Sequence, residues 1–321
     1  DVITTQINLA CEYLIDGFVF NTYMDYQRNF YLDKTLDSFL KAKKKDDFYF
    51  ALNWSYKLPR RSFPQLLNTD NDDAWRKVPL DADYFGDLIE QSCRKFFIDS
   101  HYLKIDGCPV LYIYELNSIL RYQHFDSVQI NEFFQKGNQV AQKFGYKGIF
   151  YVWLFSYFDG MHIKDISQIK LSAASGYAFL PNFSKLPLIQ NYSELVKERI
   201  KEQLLFKKLG IPWFPVVVAG WDSTPRGEQG FRIDDFKSYS WPPYPWFPLV
   251  TQTNLDVFKN WLMESVKYLQ KHNETPKIVN ITSFNEWTEG NAIEPNDKDG
   301  FGYLEAIRDV KLQHSTGNIL S

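Results

Sequence analysis

Three glutamates fall within nine residues of the segment ITSFNEWTEGNAIEPND, which spans residues 281–297. Cleavage of a glycosidic bond normally uses two carboxyl groups, one that protonates the departing oxygen and one that acts as a base or nucleophile. Glu286 and Glu289 are three residues apart after an apolar run, so both can point into one cleft. Like-charge repulsion would then allow one of them to hold a proton near neutral pH. The spacing is therefore compatible with an acid and base pair.

The same spacing is also compatible with a structural role. In that alternative, Glu289 caps the following turn and Glu286 pairs with an arginine such as Arg226. Perturbed carboxyl groups occur in structural ion pairs as well as in active sites. The spacing of the two glutamates does not decide between these roles.

The elements that would position this pair are seven apolar, β-rich runs, each followed by a segment with helical periodicity. Such nearly continuous hydrophobicity is typical of strands buried on both faces of a parallel sheet. The runs span residues 15–23, 48–54, 109–115, 148–156, 174–181, 213–221 and 277–287.

The alternation of strand and helix continues without a linker, which predicts a single α/β domain over residues 1–321. Two folds have this pattern, the (β/α)8 TIM-type barrel and the doubly wound sheet. A doubly wound sheet would carry a glycine-rich loop after an early strand. The turn MDYQRNFYLD after the first run has no glycine, which favours the barrel. The opening segment TTQINLACEYL predicts a helix, so the first strand of the barrel would precede residue 1.

Active sites of such barrels lie at the carboxyl ends of the strands and in the loops that follow. These positions combine hydrogen-bonding groups with aromatic rings, which together suit the hydroxyls and C–H faces of a saccharide. The predicted substrate-binding residues are Asn53, Trp54, Tyr114, Trp153, Trp221, Asp222, Arg226, Asn285 and Trp287.

Several of these residues have an alternative role that the sequence leaves open. Trp221 can pack on the barrel, and Asp222 can begin an Asx-type turn. Arg226 can orient a glutamate or cover the rim with its aliphatic stem, and Asn285 can terminate the strand. The proline- and aromatic-rich segment 238–250 predicts either a lid over the cleft or a rigid plug that buries its own rings.

Composition argues against several classes of partner. The net charge is -3, from 36 basic and 39 acidic residues without a basic stripe, which argues against nucleic acid. No run approaches the roughly 18 apolar residues of a membrane span. The five histidines and three cysteines lack metal-binding spacings, so no metal or other cofactor is predicted. The N-terminus has no basic-then-apolar signal segment, and the sequence predicts no compartment.

The stretch SFNEWTEGNAIEP resembles the SFNEWHEG-type signature of family 99 glycoside hydrolases, the endo-α-1,2-mannosidases and mannanases. It also resembles the NEWxEGxxxEP signature of the related WbsX-like group, whose members are often labelled glycosyltransferases. Further matches occur in the same order along nearly the whole chain, and AGWDSTPR resembles the PGWDNTPR block of the WbsX-like group. These matches are DGF (16–18), YLKIDGCPVLYIY (102–114), AGWDSTPR (219–226) and FGYLEAI (301–307).

The resemblance implies a retaining endo-acting α-glycosidase in which the 2-hydroxyl of the substrate replaces an enzyme nucleophile. Glu286 matches the base that deprotonates this hydroxyl, and Glu289 matches the acid/base that protonates the departing oxygen. No metal is implied, and the partner is an oligo- or polysaccharide. Thr288 stands where the mannosidases have histidine, so the identity of the sugar is open.

Two alternative functions remain at this point. One is a WbsX-like glycosyltransferase of polysaccharide biosynthesis, although the chain has neither a DxD motif nor a glycine-rich cradle for a diphosphate. The other is a carbohydrate-binding barrel without catalytic activity, against which the presence of both glutamates argues.

Overall fold

The computed structural model describes residues 2–43, 47–59, 64–65, 78–114, 116, 119–120, 125–155, 166–183, 187–230, 232, 235, 244–273 and 275–316. Its helices are α1 (Val2–Glu12), α2 (Lys34–Lys41), α3 (Ala82–Ser92), α4 (Ser127–Lys143), α5 (Tyr192–Phe206), α6 (Leu255–Lys271) and α7 (Gly302–Thr316). Short turns of 3-10 helix span Lys207–Leu209, Thr224–Arg226 and Trp287–Glu289, and a π-helical turn spans Cys93–Phe97.

The strands in this part of the chain are β1 (Gly17–Met24), β2 (Phe30–Tyr31), β3 (Tyr49–Ser55), β4 (Lys104–Ile105), β5 (Cys108–Tyr114), β6 (Phe150–Phe155), β7 (Ala173–Gly176), β8 (Ile189–Asn191), β9 (Trp213–Phe214), β10 (Val216–Val218), β11 (Leu249–Thr251) and β12 (Asn280–Thr282). Each of the seven predicted runs overlaps at least one strand. The predicted opening helix is confirmed as α1, whereas the strand expected before residue 1 stays a prediction.

The main sheet is parallel in the order β1-β3-β5-β6-β7-β9, with β2 and β4 added antiparallel. Pro215 divides β9 from β10, because proline has no N–H for the ladder. Before Pro215 the chain pairs with β7, and after it with β12. Beyond β12, the Phe284 ring lies 4.8 Å from that of Phe18 on β1, centroid to centroid. β1 and the turn after β12 therefore lie close together, as in a barrel.

Contacts between non-adjacent strands identify the inner side of this sheet. Phe150 on β6 stacks on Phe214 on β9 with ring centroids 6.4 Å apart. The Tyr112 hydroxyl on β5 donates to Asn280 Oδ1 on β12 at 3.3 Å. Asn280 Nδ2 in turn donates to Ser175 Oγ on β7 at 2.8 Å. These contacts cross the inside of the sheet, so the alternate residues of each strand face the helices.

Helices α3 to α6 begin with a side-chain cap, which satisfies backbone N–H groups of the first turn. Asp126 and Gln129 form a reciprocal capping box at the start of α4. Asp81, Asn191 and Asn254 cap α3, α5 and α6, and each side chain accepts a hydrogen bond from the backbone N–H three residues further on. No helix in the described ranges is long and apolar enough to cross a membrane.

Candidate active site

The two predicted catalytic glutamates lie in a tight turn directly after β12. The Glu286 N–H donates to Ser283 Oγ at 2.9 Å, and Ser283 Oγ donates to the fully buried Asn291 side chain at 2.9 Å. A 3-10 turn then carries the chain to Glu289 and ends at Gly290, which has a left-handed backbone. Short polar side chains within the turn therefore fix the backbone that holds both glutamates.

Gly290 allows this turn to pack against the loop after β10. Its φ is +61°, and a Cβ added there would lie 2.9 Å from the backbone nitrogen of Asp222. The same Asp222 N–H donates to the carbonyl of Glu289 at 2.8 Å. A side chain at position 290 would therefore separate the two segments that form the site.

Gly290→Ala is expected to destabilise the protein by about 1 to 2 kcal/mol more than Gly300→Ala in urea unfolding. Gly300 has a similar φ of +56°, but a Cβ added there would meet no atom within 4 Å, so this variant isolates the backbone cost alone. Equal losses for the two variants would contradict the close approach at Gly290.

Arg226 bridges the two glutamates. Its Nη1 atom lies 2.7 Å from Glu289 Oε1, and its Nη2 atom lies 3.1 Å from Glu286 Oε2. The alternative that Glu286 pairs with Arg226 is confirmed, but the same guanidinium also holds Glu289. The Glu289 side chain is 9% exposed and that of Glu286 is 33% exposed. One carboxyl group is therefore buried behind the arginine, and the other is accessible.

Thr288 completes the contacts of the arginine. Arg226 Nε donates to Thr288 Oγ1 at 2.9 Å, and the threonine hydroxyl donates to Glu286 Oε1. Both oxygens of Glu286 therefore have a partner on this side of the turn. The residue at the position of the mannosidase histidine acts here as a link between Arg226 and Glu286.

The environment of Glu289 favours its protonated form. Burial raises its pKa, and the charge of Glu286 raises it further. The Arg226 guanidinium and the Tyr244 hydroxyl act in the opposite direction, and burial outweighs them. A buried carboxyl group with a raised pKa beside an accessible carboxylate is the arrangement expected of an acid and base pair.

Tyr244 is a site residue that the sequence analysis did not single out. Its hydroxyl donates to Glu289 Oε1 at 3.0 Å and accepts a hydrogen bond from Arg226 Nη1 at 2.8 Å. It belongs to the segment 238–250, of which residues 238–243 lie outside the described part. The rings of Trp246 and Phe247 are buried, so the described portion resembles the plug rather than a loose lid.

Tyr177, which lies just after β7, is a second residue that the sequence analysis missed. Burial raises its pKa, and the charge of Glu289 raises it further, which places the hydroxyl near that carboxyl group. Asn21 Nδ2 donates to this hydroxyl at 3.2 Å, and Asn53 Nδ2 donates to Asn21 Oδ1 at 2.7 Å. The Tyr114 ring lies 4.4 Å from the Tyr177 ring. Two predicted binding residues, Asn53 and Tyr114, therefore lie on the inner side of the sheet next to a neighbour of Glu289.

The structure contradicts the prediction that Trp54 and Trp153 contact substrate. Their exposed fractions are 2% and 0%, and both belong to the core between strands and helices. Trp54 packs edge-on against Phe85 of α3 at 5.3 Å between centroids. Because side chains alternate along a strand, Asn53 faces inward and its neighbour Trp54 faces outward.

Two further predicted residues have the alternative roles. Trp221 is 5% exposed and packs edge-on against Phe183, with ring centroids 6.0 Å apart, so its ring is part of the core. Asp222 Oδ1 accepts hydrogen bonds from the Thr224 N–H at 3.0 Å and from its hydroxyl at 2.6 Å. This Asx-type turn begins the 3-10 turn that carries Arg226.

Asn285 and Trp287 are exposed beside the glutamates. The Trp287 side chain is fixed, since its Nε1 donates to Glu294 Oε2 at 2.7 Å, and Gln6 of α1 donates to Glu294 Oε1 at 2.7 Å. The residue is 49% exposed. Because the indole N–H is hydrogen-bonded to Glu294, the exposed part of the Trp287 ring offers an apolar surface. Within the described ranges, no group of three His, Cys, Asp or Glu residues can hold a metal ion.

Comparison with known families supplies the context for this site. The model of the family described as Glycosyltransferase WbsX matches residues 1–307. The chain belongs to this family. No curated protein matches this chain.

Solved structures with a similar fold include GH99 endo-alpha-mannosidases from Bacteroides thetaiotaomicron. One, in complex with BIS-TRIS-Propane, has a TM-score of 0.62 and 14% identity over 100% of this chain and 85% of that one. Another has a TM-score of 0.61 and 13% identity over 98% and 80%. A structure described as a glycoside hydrolase-like protein has a TM-score of 0.61 and 13% identity over 96% and 84%. The likeness establishes the TIM-type barrel fold.

Proposed function

We propose that this WbsX family member is a retaining, endo-α-mannosidase-like glycoside hydrolase that cleaves an α-linked oligo- or polysaccharide. The observation that carries the proposal is the convergence of Glu286 and Glu289 on one guanidinium at the end of β12. One of these side chains is accessible and the other is buried with a raised pKa. Such a difference supplies a base and an acid from two identical residue types.

In the proposed reaction, Glu286 takes the proton of the substrate 2-hydroxyl while that oxygen attacks the anomeric carbon. The glycosidic bond breaks, and Glu289 gives its proton to the departing oxygen. The product is a 1,2-anhydro sugar and a shortened glycan. Glu289 then takes a proton from water, which opens the three-membered ring at the anomeric carbon, and Glu286 returns its proton to the 2-oxygen. Two displacements at one carbon give net retention.

Attack by the internal hydroxyl requires no nucleophile from the protein. A group within the substrate reacts at a high effective concentration, so the protein needs only to align it with a base. The 33% exposed Glu286 can reach a bound sugar without a change in the turn. Asn53, Tyr114, Asn285 and Trp287 would bind neighbouring sugar units.

Incubation with α-mannans and related α-linked oligosaccharides tests this function, with new reducing ends as the readout. We expect release by the wild type and none by Glu289→Gln. The family description favours one competing function, a glycosyltransferase, which would instead consume a sugar nucleotide and leave the glycans intact. Binding of glycan without turnover by both proteins would support a carbohydrate-binding barrel.

Trp287→Ala is expected to weaken saccharide binding about fivefold, because an exposed ring face contributes roughly 1 kcal/mol in stacking contacts. Calorimetric titration of a manno-oligosaccharide into Glu289→Gln, with and without the second substitution, measures this. Tyr49→Ala is the control, since Tyr49 is 40% exposed and is the first residue of β3, at the end of the strand away from Asn53. An unchanged Kd for the tryptophan variant would remove Trp287 from the proposed site.

A further inference from the structure

We propose that Tyr244 is a positioning residue that occupies Oε1 of Glu289 together with Arg226 and thereby leaves Oε2 to exchange the proton with the substrate. The part that concerns the substrate depends on the function proposed above. The effect of Tyr244 on Glu289 itself does not depend on it.

The contacts form a closed triangle around one oxygen. Tyr244 donates to Glu289 Oε1 at 3.0 Å, and Arg226 Nη1 lies 2.7 Å from the same atom. The third side is the hydrogen bond of 2.8 Å from Arg226 Nη1 to the tyrosine hydroxyl. Two donors directed at Oε1 favour the negative charge there, so a proton on Glu289 belongs on Oε2.

The segment that carries Tyr244 is hydrogen-bonded to the residues on either side of the turn that carries Arg226. The fully buried Ser223 hydroxyl donates to the Pro245 carbonyl at 2.7 Å. Trp246 Nε1 donates to the Glu228 carbonyl at 2.9 Å. Gly227 leaves room for this indole, since a Cβ there would lie 2.8 Å from the ring. The tyrosine and the arginine therefore reach Glu289 from one rigid unit.

The groups that face Glu289 determine the direction of the expected effect. They are Arg226, Glu286, Tyr244 and Tyr177 in the described part of the chain. Burial and the charge of Glu289 raise the pKa of Tyr244 to about 12, so its hydroxyl keeps its proton and donates. Loss of this donor removes a contact that favours the ionised form of Glu289, and its pKa is expected to rise.

The test is a titration of 13C-glutamate-labelled protein by NMR, in which Glu289→Gln identifies the resonance of Glu289. In Tyr244→Phe this resonance is expected to titrate about one pH unit higher than in the wild type, the effect of one hydrogen bond to a charged group. The matched control is Tyr151→Phe, which removes a buried hydroxyl that donates to the Phe134 carbonyl at 3.2 Å. It is expected to leave the titration unchanged.

A second variant covers the case in which Tyr244→Phe does not fold. Tyr244→3-fluorotyrosine retains the hydroxyl but makes it a stronger donor, so Glu289 is expected to titrate at lower pH. An unchanged titration of Glu289 in either variant, or a shift opposite to the expected one, would overturn the inference. If the shifts occur and no glycan is cleaved, the proposed function fails and the positioning role of Tyr244 stands.

Discussion

Glu289→Gln is expected to reduce kcat/KM for a natural glycan by about 10³-fold, within the usual range for removal of a general acid. The amide keeps the size of the side chain and can accept from Arg226 and Tyr244, but it has no proton to give to the departing oxygen. The buried position makes replacement by water difficult, since the Glu289 side chain is only 9% exposed. The loss should therefore appear in kcat rather than in binding.

A change of leaving group distinguishes loss of the acid from loss of the fold. A fluoride leaving group departs without protonation, so Glu289→Gln is expected to release fluoride from a glycosyl fluoride in the first turnover far closer to the wild-type rate, although the later ring opening by water still lacks its base. Glu305→Gln, in an exposed position of α7, makes the same chemical change away from the site and should leave both rates unchanged. Equal losses in the first-turnover cleavage of glycan and of fluoride would remove Glu289 from the role of acid.

Arg226→Met is expected to destabilise the protein by about 2 kcal/mol near neutral pH, because it leaves two carboxyl groups facing each other without their shared cation. The value is below the roughly 3 to 5 kcal/mol of a fully buried pair, since the arginine side chain is 29% exposed. Methionine retains much of the apolar stem, so most of the loss is electrostatic. Activity should also fall, because neither glutamate would keep its orientation.

The loss from Arg226→Met should depend on pH in a defined direction. Arg226 lowers the pKa of Glu289, so the variant raises that pKa further above the ordinary glutamate value of 4.5. A group with a raised pKa in the folded state contributes its stability below the unfolded value and loses it as the pH rises through the folded value. The difference in Tm between variant and wild type should therefore be small below pH 4.5 and should grow as the pH rises above that value.

Arg94→Met is a control for the removal of one ion pair. Arg94 pairs with Glu90 in an exposed position, with side chains 64% and 44% accessible. Such a surface pair contributes only about 0.5 kcal/mol, so its Tm should change little at either end of this pH range. A pH-independent loss in Arg226→Met, similar to that of the control, would show that the bridge does not govern the two glutamates.

The order of the elements was largely predictable, because buried parallel strands keep long apolar runs. The division of the run 213–221 into β9 and β10 depends on which neighbour each half pairs with. Pro215 marks the division in the sequence because it has no N–H for the ladder, but the neighbour of each half is set by tertiary contacts, which hydrophobicity does not indicate. The pairing of β8 with β11 was not predicted either. Each of these strands has only three residues, which is too short to show a hydrophobic pattern.

The site was predictable where its residues are close together in the sequence. It was less predictable where a role depends on which side of the sheet a strand residue faces. Glu286 and Glu289 come from one turn, and their convergence followed from their separation. Trp54 was placed incorrectly because a shift of one residue along a strand reverses the face. Tyr244 contacts Glu289 from a distant segment, and Tyr177 lies close enough for the charge of Glu289 to raise its pKa. A single tyrosine in an aromatic-rich chain gives no sequence signal of such proximity.

The most direct measurement of the central claim is an NMR time course of glycan cleavage that records the anomeric configuration of the new reducing end. If Glu286 activates the 2-hydroxyl and Glu289 serves as acid and then base, the α-anomer must appear first and the β-anomer only by slow mutarotation. First appearance of the β-anomer would mean a single displacement by water. That result would contradict the roles given to both glutamates.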